Sequence, residues 1–250
     1  MNSRNLMRAF LPAVLFMACH GCAPLAPPPR PARTLPAAPL APRPLRLCGE
    51  PETGFIRNQG EFPGEVLYYV NGRAGTICFT RTAVRYPIGR GSPGGGFSLR
   101  FEGAGRRTEL RAEKELRAGT GAAAGPRAFS TLTYRNLYEG IDLEFRAGRG
   151  GIERAFMVDP GVDPGIIRVA CDGATGLTVA RDGGLLISTP YGNFTEKPPR
   201  AYQYISGEKV AVPGGFILAG DRMVGFALSR RDPRYLLVID PAGAGGGGAR

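Results

Sequence analysis

The punctuation of this chain constrains its fold more than any other feature. From residue 55 onward, short runs of alternating apolar and polar residues recur, closed by Asn-Gly, Asp-Gly, Asp-Pro-Gly or Gly-Gly. Alternation with a period of two sends successive side chains to opposite faces of a strand. The turn residues supply the backbone conformations that hairpins need. Glu65–Val70 (EVLYYV) reads as a strand, Asn71-Gly72 as the turn of a hairpin and Thr76–Thr80 as the return strand. Further strands are expected over Ala83–Tyr86, Phe97–Phe101, Thr131–Tyr134, Ile141–Phe145, Ile152–Val158 and Ile166–Ala170. The same pattern continues over Leu177–Ala180, Leu185–Thr189, Ala201–Ile205, Phe216–Leu218, Val224–Leu228 and Tyr235–Ile239. Residues 108–117 (TELRAEKELR) fit either a helix or a charged strand. Many short strands at such spacing indicate a sandwich or barrel. An α/β fold lacks the amphipathic helices it would need between strands. With 38 Gly and 23 Pro in 250 residues, a helical bundle is disfavoured, while 43% hydrophobic residues suffice for a core. The expectation is an all-β, antiparallel β-sandwich-like domain over residues 51–241, or two packed β subdomains, with few or no helices. A Gly-rich, disordered tail is expected over 242–250.

The N-terminus reads as an address. Residues 1–22 have a basic start (Arg4, Arg8), an apolar run from Ala9 to Ala18 and a small residue before a cysteine. This is the layout of a secretory signal, and the run is too short for a membrane-spanning helix, which needs about 20 residues. Leu15-Phe16-Met17-Ala18-Cys19 is similar to a lipobox, so Cys19 is the expected lipidation site, with Cys22 as the alternative. An ordinary secretory signal with incidental cysteines is the plainer reading. Residues 23–50 are rich in Pro and Ala, a composition that favours extended polyproline II. At about 3.1 Å per residue, the stretch 23–47 of this tether reaches on the order of 75–80 Å. Export with lipid anchoring to the bacterial envelope, at the outer membrane, is therefore expected; a secreted or periplasmic protein is the alternative.

The remaining chemistry is sparse. The sole histidine, His20, lies in the leader, so histidine triads and most zinc centres are absent from the folded part. No cofactor or metal and no catalytic residue is expected. The net charge is +11, but arginines are interspersed with acids along the sequence, so nucleic-acid binding is not expected. Cys78 and Cys171 are candidates for a disulfide in an oxidising compartment, or equally for buried small hydrophobes.

Asp142 and Glu144 alternate with Ile141, Leu143 and Phe145, which places both carboxylates on one strand face. Two carboxylates can serve glycoside hydrolysis. An ordinary solvated face is the simpler reading, with Arg135, Arg146 and Arg154 pairing to them across strands. Asp159, Asp163, Asp172, Asp182 and Asp221 sit at turns, where Asp is ordinary turn chemistry and calcium the sharper alternative. Tyr68, Tyr69, Tyr191, Tyr202 and Tyr204 could line a groove or edge the core.

Several segments carry a resemblance. Phe55-Ile56-Arg57-Asn58-Gln59-Gly60 resembles the F-x-x-N-x-G opening of a bacterial domain of unknown function found at the N-terminus of exported proteins with SBBP-type β-propeller repeats. Tyr134 through Leu143 is similar to that family's Y-x-x-L-Y-x-G-I-D-L segment. The likeness continues through Phe156–Pro164, through Pro199, Tyr202 and Gln203, and through Leu237–Pro241. It departs in residues 104–130, where the family's Asn-Tyr-Phe-x-Gly…Trp stretch is missing. The match is to the domain without repeats, since AGAGGGGAR follows Pro241. The resemblance implies a β-rich extracytoplasmic domain and no established activity. The expected function is a non-enzymatic envelope lipoprotein whose domain contacts a protein or glycan at the surface. A carboxylate-dependent hydrolase such as a glycosidase, or a domain docking a separate β-propeller chain, are the alternatives.

Overall fold

A computed structural model describes residues 54–72, 75–87, 96–116, 126–148, 151–190, 192–241 and 244–246. The segments read from the sequence as a leader and a tether, with Cys19, Cys22 and Cys48, lie outside the described residues. The first strands are β1 (Phe55–Arg57), β2 (Val66–Gly72), β3 (Gly75–Thr80), β4 (Ala83–Pro87), β5 (Gly96–Phe101) and β6 (Glu109–Glu115). Then come β7 (Ala128–Tyr138), β8 (Ile141–Gly148), β9 (Gly151–Val158), β10 (Val169–Asp172), β11 (Gly176–Val179), β12 (Leu185–Thr189) and β13 (Gly192–Glu196). The last are β14 (Pro199–Ile205), β15 (Glu208–Val212), β16 (Gly214–Leu218), β17 (Met223–Leu228), β18 (Leu237–Pro241) and β19 (Ala244–Gly246). Among the described residues the one helical piece is a 3-10 turn, Pro164–Ile166, capped by the Asp163 carboxylate accepting from the Gly165 N–H at 2.9 Å.

Every strand pairing is antiparallel. A 15-stranded sheet runs β15-β14-β18-β9-β8-β7-β1-β2-β3-β4-β5-β10-β17-β16, with β6 paired to β7, and a 4-stranded sheet runs β11-β12-β13-β19. The chain is thus a sandwich-like all-β domain with a large and a small sheet. β19 lies within the 242–250 segment that the sequence reads as a tail.

The large sheet bends so that its two halves face each other, and aromatic side chains fill the space between them. Phe55 meets Phe79 edge-on at 5.4 Å, Phe79 meets Phe145 at 5.3 Å, Phe145 meets Tyr134 at 5.9 Å, and Tyr134 meets Phe101 at 5.4 Å. These rings come from β1, β3, β8, β7 and β5, so one continuous aromatic core bridges both halves. Pairs of this geometry add about 0.5–1.5 kcal/mol each beyond area burial. The fully buried Tyr134 hydroxyl donates to the Thr80 carbonyl at 2.9 Å, which satisfies a polar atom that could not otherwise be placed there. The small sheet adds Leu185, Ile187 and Phe194 to the same core, and Phe194 stacks on Phe97 at 5.4 Å.

Two local expectations change, and two open alternatives are decided. The β2–β3 hairpin forms, but Asn71 and Gly72 pair with Thr76 and Gly75 inside the ladder, so the loop falls at 73–74, outside the described residues. The Asn71 side chain instead accepts from the Thr76 hydroxyl at 2.9 Å. Residues 109–115 are a strand, because alternate residues Leu110 and Ala112 pack against the core. The strand expected from Ile166 begins at Val169, after the 3-10 turn. Cys78 and Cys171 form no disulfide: both are free thiols. Cys78 shares a sheet face with Arg85, Ser98 and Asp172, whereas Cys171 shares the opposite face with Leu99, Val84 and Phe79. Two strands also lie between them, so their Cα atoms exceed the roughly 7 Å limit for a bridge. Burial pushes the Cys171 thiol up to about 12, so it is an inert core group.

Candidate functional site

The motif side chains that the sequence singles out are Asn58, Asp142 and Gln203. Each of them holds backbone. Asn58 follows β1, and its carbonyl oxygen accepts from the N–H groups of Gly60 and Phe62, both at 3.1 Å. Its amide nitrogen donates to the Val66 carbonyl at 2.8 Å and the Phe62 carbonyl at 3.0 Å. One side chain thereby folds the whole 58–66 loop back onto β2. Gln203, only 1% exposed, acts likewise on the 232–235 turn. Its amide nitrogen donates to the carbonyls of Asp232 (2.8 Å) and Tyr235 (3.0 Å), and its oxygen accepts from the Asp232 N–H at 2.9 Å.

Asp142 is the third case, and it corrects the expected solvated face. It is 2% exposed. The register between β7 and β8 shifts between Tyr134 and Tyr138, a bulge in which Asn136 takes a positive φ of 55°. The Asp142 carboxylate accepts the Asn136 N–H at 2.7 Å and an Arg135 N–H at 3.1 Å, pinning that bulge. Gly140 turns the chain into β8 with φ +77°, and a Cβ there would stand 2.4 Å from a Val162 methyl, so only glycine fits. Glu144 pairs with Arg146. Arg154 does not join them: it faces inward, opposite Phe145, and donates through Nη2 to both oxygens of Glu196 on β13 at 2.6 and 2.7 Å. Both groups are buried. Burial alone would lower the Arg154 guanidinium, but the Glu196 carboxylate outweighs it and holds the proton more tightly than usual.

The other candidates are also placed. Asp172 pairs with Arg100, Asp182 accepts the Gly184 N–H, and Asp163 caps the 3-10 turn. Among the described residues no three acidic, cysteine or histidine side chains converge on a point. Tyr69 and Tyr202 are buried, with Lys209 over the Tyr202 ring at 3.6 Å; Tyr191 lies outside the described residues.

One surface feature was not anticipated. A groove of ≈ 990 Å³ runs between the 57–68 segment and the 106–111 segment. Its lining includes Arg57, Arg81, Arg106, Arg107 and Arg111, all exposed, with Tyr68, Leu67, Phe62 and Leu110 half-buried beneath them. The nearby carboxylates are occupied. Glu109 pairs with Arg111 at 2.9 Å, Glu65 pairs with Arg85 at 2.6 Å, and Glu61 accepts the Gln59 N–H at 2.7 Å. Arg57, Arg81, Arg106 and Arg107 have no carboxylate partner among the described residues. A smaller neighbouring cavity of ≈ 370 Å³ shares Arg81 and Leu67, but its Arg85 and Arg100 are neutralised by Glu65 and Asp172. Neither cavity is lined by Asp142 or Glu144.

Residues 55–242, most of the chain and nearly all of the described fold, match a family described as a domain of unknown function, DUF7948. The chain belongs to this family. The matched span begins at Phe55 and takes in Asn58, Asp142 and Gln203, so the family's segment is the framework that these side chains tie together. No curated protein and no solved structure matches the chain.

Proposed function

We propose that this chain is an exported, non-enzymatic protein of the bacterial envelope whose β-rich domain binds a protein or glycan at the cell surface. In this reading a lipid on Cys19, or on Cys22, anchors it, and residues 23–50 hold the domain away from the membrane. The leader layout and the resemblance to domains that precede SBBP-type repeats support the address. The observation that carries the binding role is the open groove with four arginines at its rim that have no carboxylate partner among the described residues. Such a rim attracts an acidic partner, and Glu109, the carboxylate in the lining, is paired with Arg111. The carboxylates that would suit a hydrolase are engaged elsewhere, Asp142 with Asn136 and Arg135, Glu144 with Arg146.

Docking of a separate β-propeller chain is a second reading. Exposed Ile217 and Leu218 on β16, a terminal strand of the large sheet, favour it.

Intact-mass analysis of protein from the membrane fraction, beside a Cys19→Ala variant, tests the anchor. Cleavage before Cys19 with added diacylglycerol and acyl groups, lost in the variant, is the expected result. An unlipidated soluble product overturns it.

A further inference from the structure

We propose that the arginine groove binds an acidic polysaccharide, with uronate carboxylates at the rim and a sugar ring lying on the half-buried floor. The inference rests on the proposed surface-binding role and names its ligand class.

The rim speaks for carboxylates. Arginine presents a planar fork of donors that matches a carboxylate in a bidentate pair. Four such forks around one groove have no carboxylate partner among the described residues, while Glu109 and Glu65 are paired with arginines and Glu61 accepts a backbone N–H. Arg57 leaves the end of β1, Arg81 sits in the β3–β4 turn, and Arg106 and Arg107 lie on the loop before β6. The charges therefore come from three separate parts of the fold and line both sides of a trough. That suits an extended chain with charges at intervals better than a single small anion.

The floor speaks against a peptide. Tyr68 belongs to β2, which pairs with β1 at Arg57 and with β3 at Phe79, so the backbone there is already used on both edges. An extended peptide gains most of its affinity by adding to a free edge, and none is offered on this floor. β6 borders the groove and, among the described residues, pairs only with β7. Yet its residues Arg111, Glu113, Lys114 and Glu115 are exposed and charged, and Lys114 has a positive φ of 59°, which blunts that edge. The floor also speaks against single-stranded nucleic acid. Successive bases need successive exposed rings. Here two half-buried rings, Phe62 and Tyr68, line the groove, and Phe62 is held against buried Tyr69 at 4.8 Å, so they do not form a row of exposed faces. A short aromatic floor with polar neighbours matches a sugar ring and its hydroxyls.

The test uses the full chain and polygalacturonate oligomers as probe, in titration calorimetry. Binding is expected, and it should weaken by about tenfold or more between about 50 and 200 mM salt, as charge-driven contacts do. Fully methyl-esterified oligomers, with the same backbone and no charge, should not bind. Arg57→Glu with Arg107→Glu should reduce affinity at least tenfold, while Arg181→Glu, an exposed arginine on the small sheet's β11–β12 turn, should leave it unchanged. Tyr68→Ala should reduce affinity several-fold with the same salt dependence. Thermal melts accompany each variant, and Arg57→Gln with Arg107→Gln serves if the reversed pair melts early. No binding to the charged oligomer, equal binding of the esterified one, undiminished binding by the double variant, or tighter binding to an oligothymidylate each overturns the proposal. The outcome does not depend on where the protein resides, so it is distinguishable from failure of the lipid anchor.

Discussion

Arginine meets two opposite fates in this domain. Arg154 lies between the two sheets, cut off from water, with both oxygens of Glu196 on one nitrogen and its Nη1 without a hydrogen-bond partner among the described residues. Arg57, Arg81, Arg106 and Arg107 stand in water around a groove and pair with no carboxylate among the described residues. In the interior, desolvation makes an unpaired charge intolerable, so a partner is built in and the pair can do nothing else. At the rim, water satisfies the charge at little cost and keeps it available to an incoming group. Availability for binding and contribution to stability should therefore run in opposite directions across these two regions.

The sharpest break of that contrast is Glu196→Ala. It leaves Arg154 buried and unpaired and should cost about 3–5 kcal/mol, read from the urea midpoint. Replacing both partners, Arg154→Met with Glu196→Leu, should restore most of that loss, since well-packed apolar pairs often equal buried ion pairs. If the single variant loses under about 1 kcal/mol, water reaches Arg154 and the two regions are not opposites. Gln203→Ala comes next. Three hydrogen bonds to the 232–235 turn are lost, with an expected cost of about 2–3 kcal/mol and faster amide exchange confined to that turn. At the groove, Arg57→Ala or Arg107→Ala should move stability by less than about 0.5 kcal/mol, while changing any charge-driven binding.

A pH titration sharpens the same contrast at an exposed pair. Hydrogen bonds from the Arg234 side chain and backbone N–H hold the Asp232 carboxyl at about 2, below its ordinary 3.8. Its folded-state value is depressed, so its contribution is present above 3.8 and is lost as pH falls toward about 2. Asp232→Asn should therefore lower the melting temperature slightly at neutral pH and converge with the parent protein in that acid window. The thiols give the smallest effect. Iodoacetamide at mild alkaline pH, read by peptide mass, should modify Cys78 slowly and Cys171 only after unfolding, because burial raises both and encloses Cys171 completely.

The sandwich was legible because turn residues and alternation are local signals. The strands that escaped notice show where that signal fails. β13 hides because its inward residues include Glu196, a charge where a core residue is expected. β15 hides because four of its five residues are exposed, so no alternation marks it. The motif positions were visible as letters, yet their roles required partners: Asn136 beside Asp142, and the 232–235 turn around Gln203. The groove was the least legible feature. Its arginines lie far apart in sequence and meet only through strand pairing and the loop before β6, and the Arg106-Arg107 pair with Arg111 close behind was the single local hint.

The position of β18 has a kinetic consequence. Leu237–Pro241 fits between β9 and β14, so a strand near the end of the sequence occupies the middle of one half of the sheet. Until it is in place, β9 and β14 each present an unsatisfied edge, and loop closure over long stretches of chain must come first. Such non-local topologies fold on the order of milliseconds to seconds. A nascent chain stopped short of Leu237 should therefore stay open and protease-sensitive.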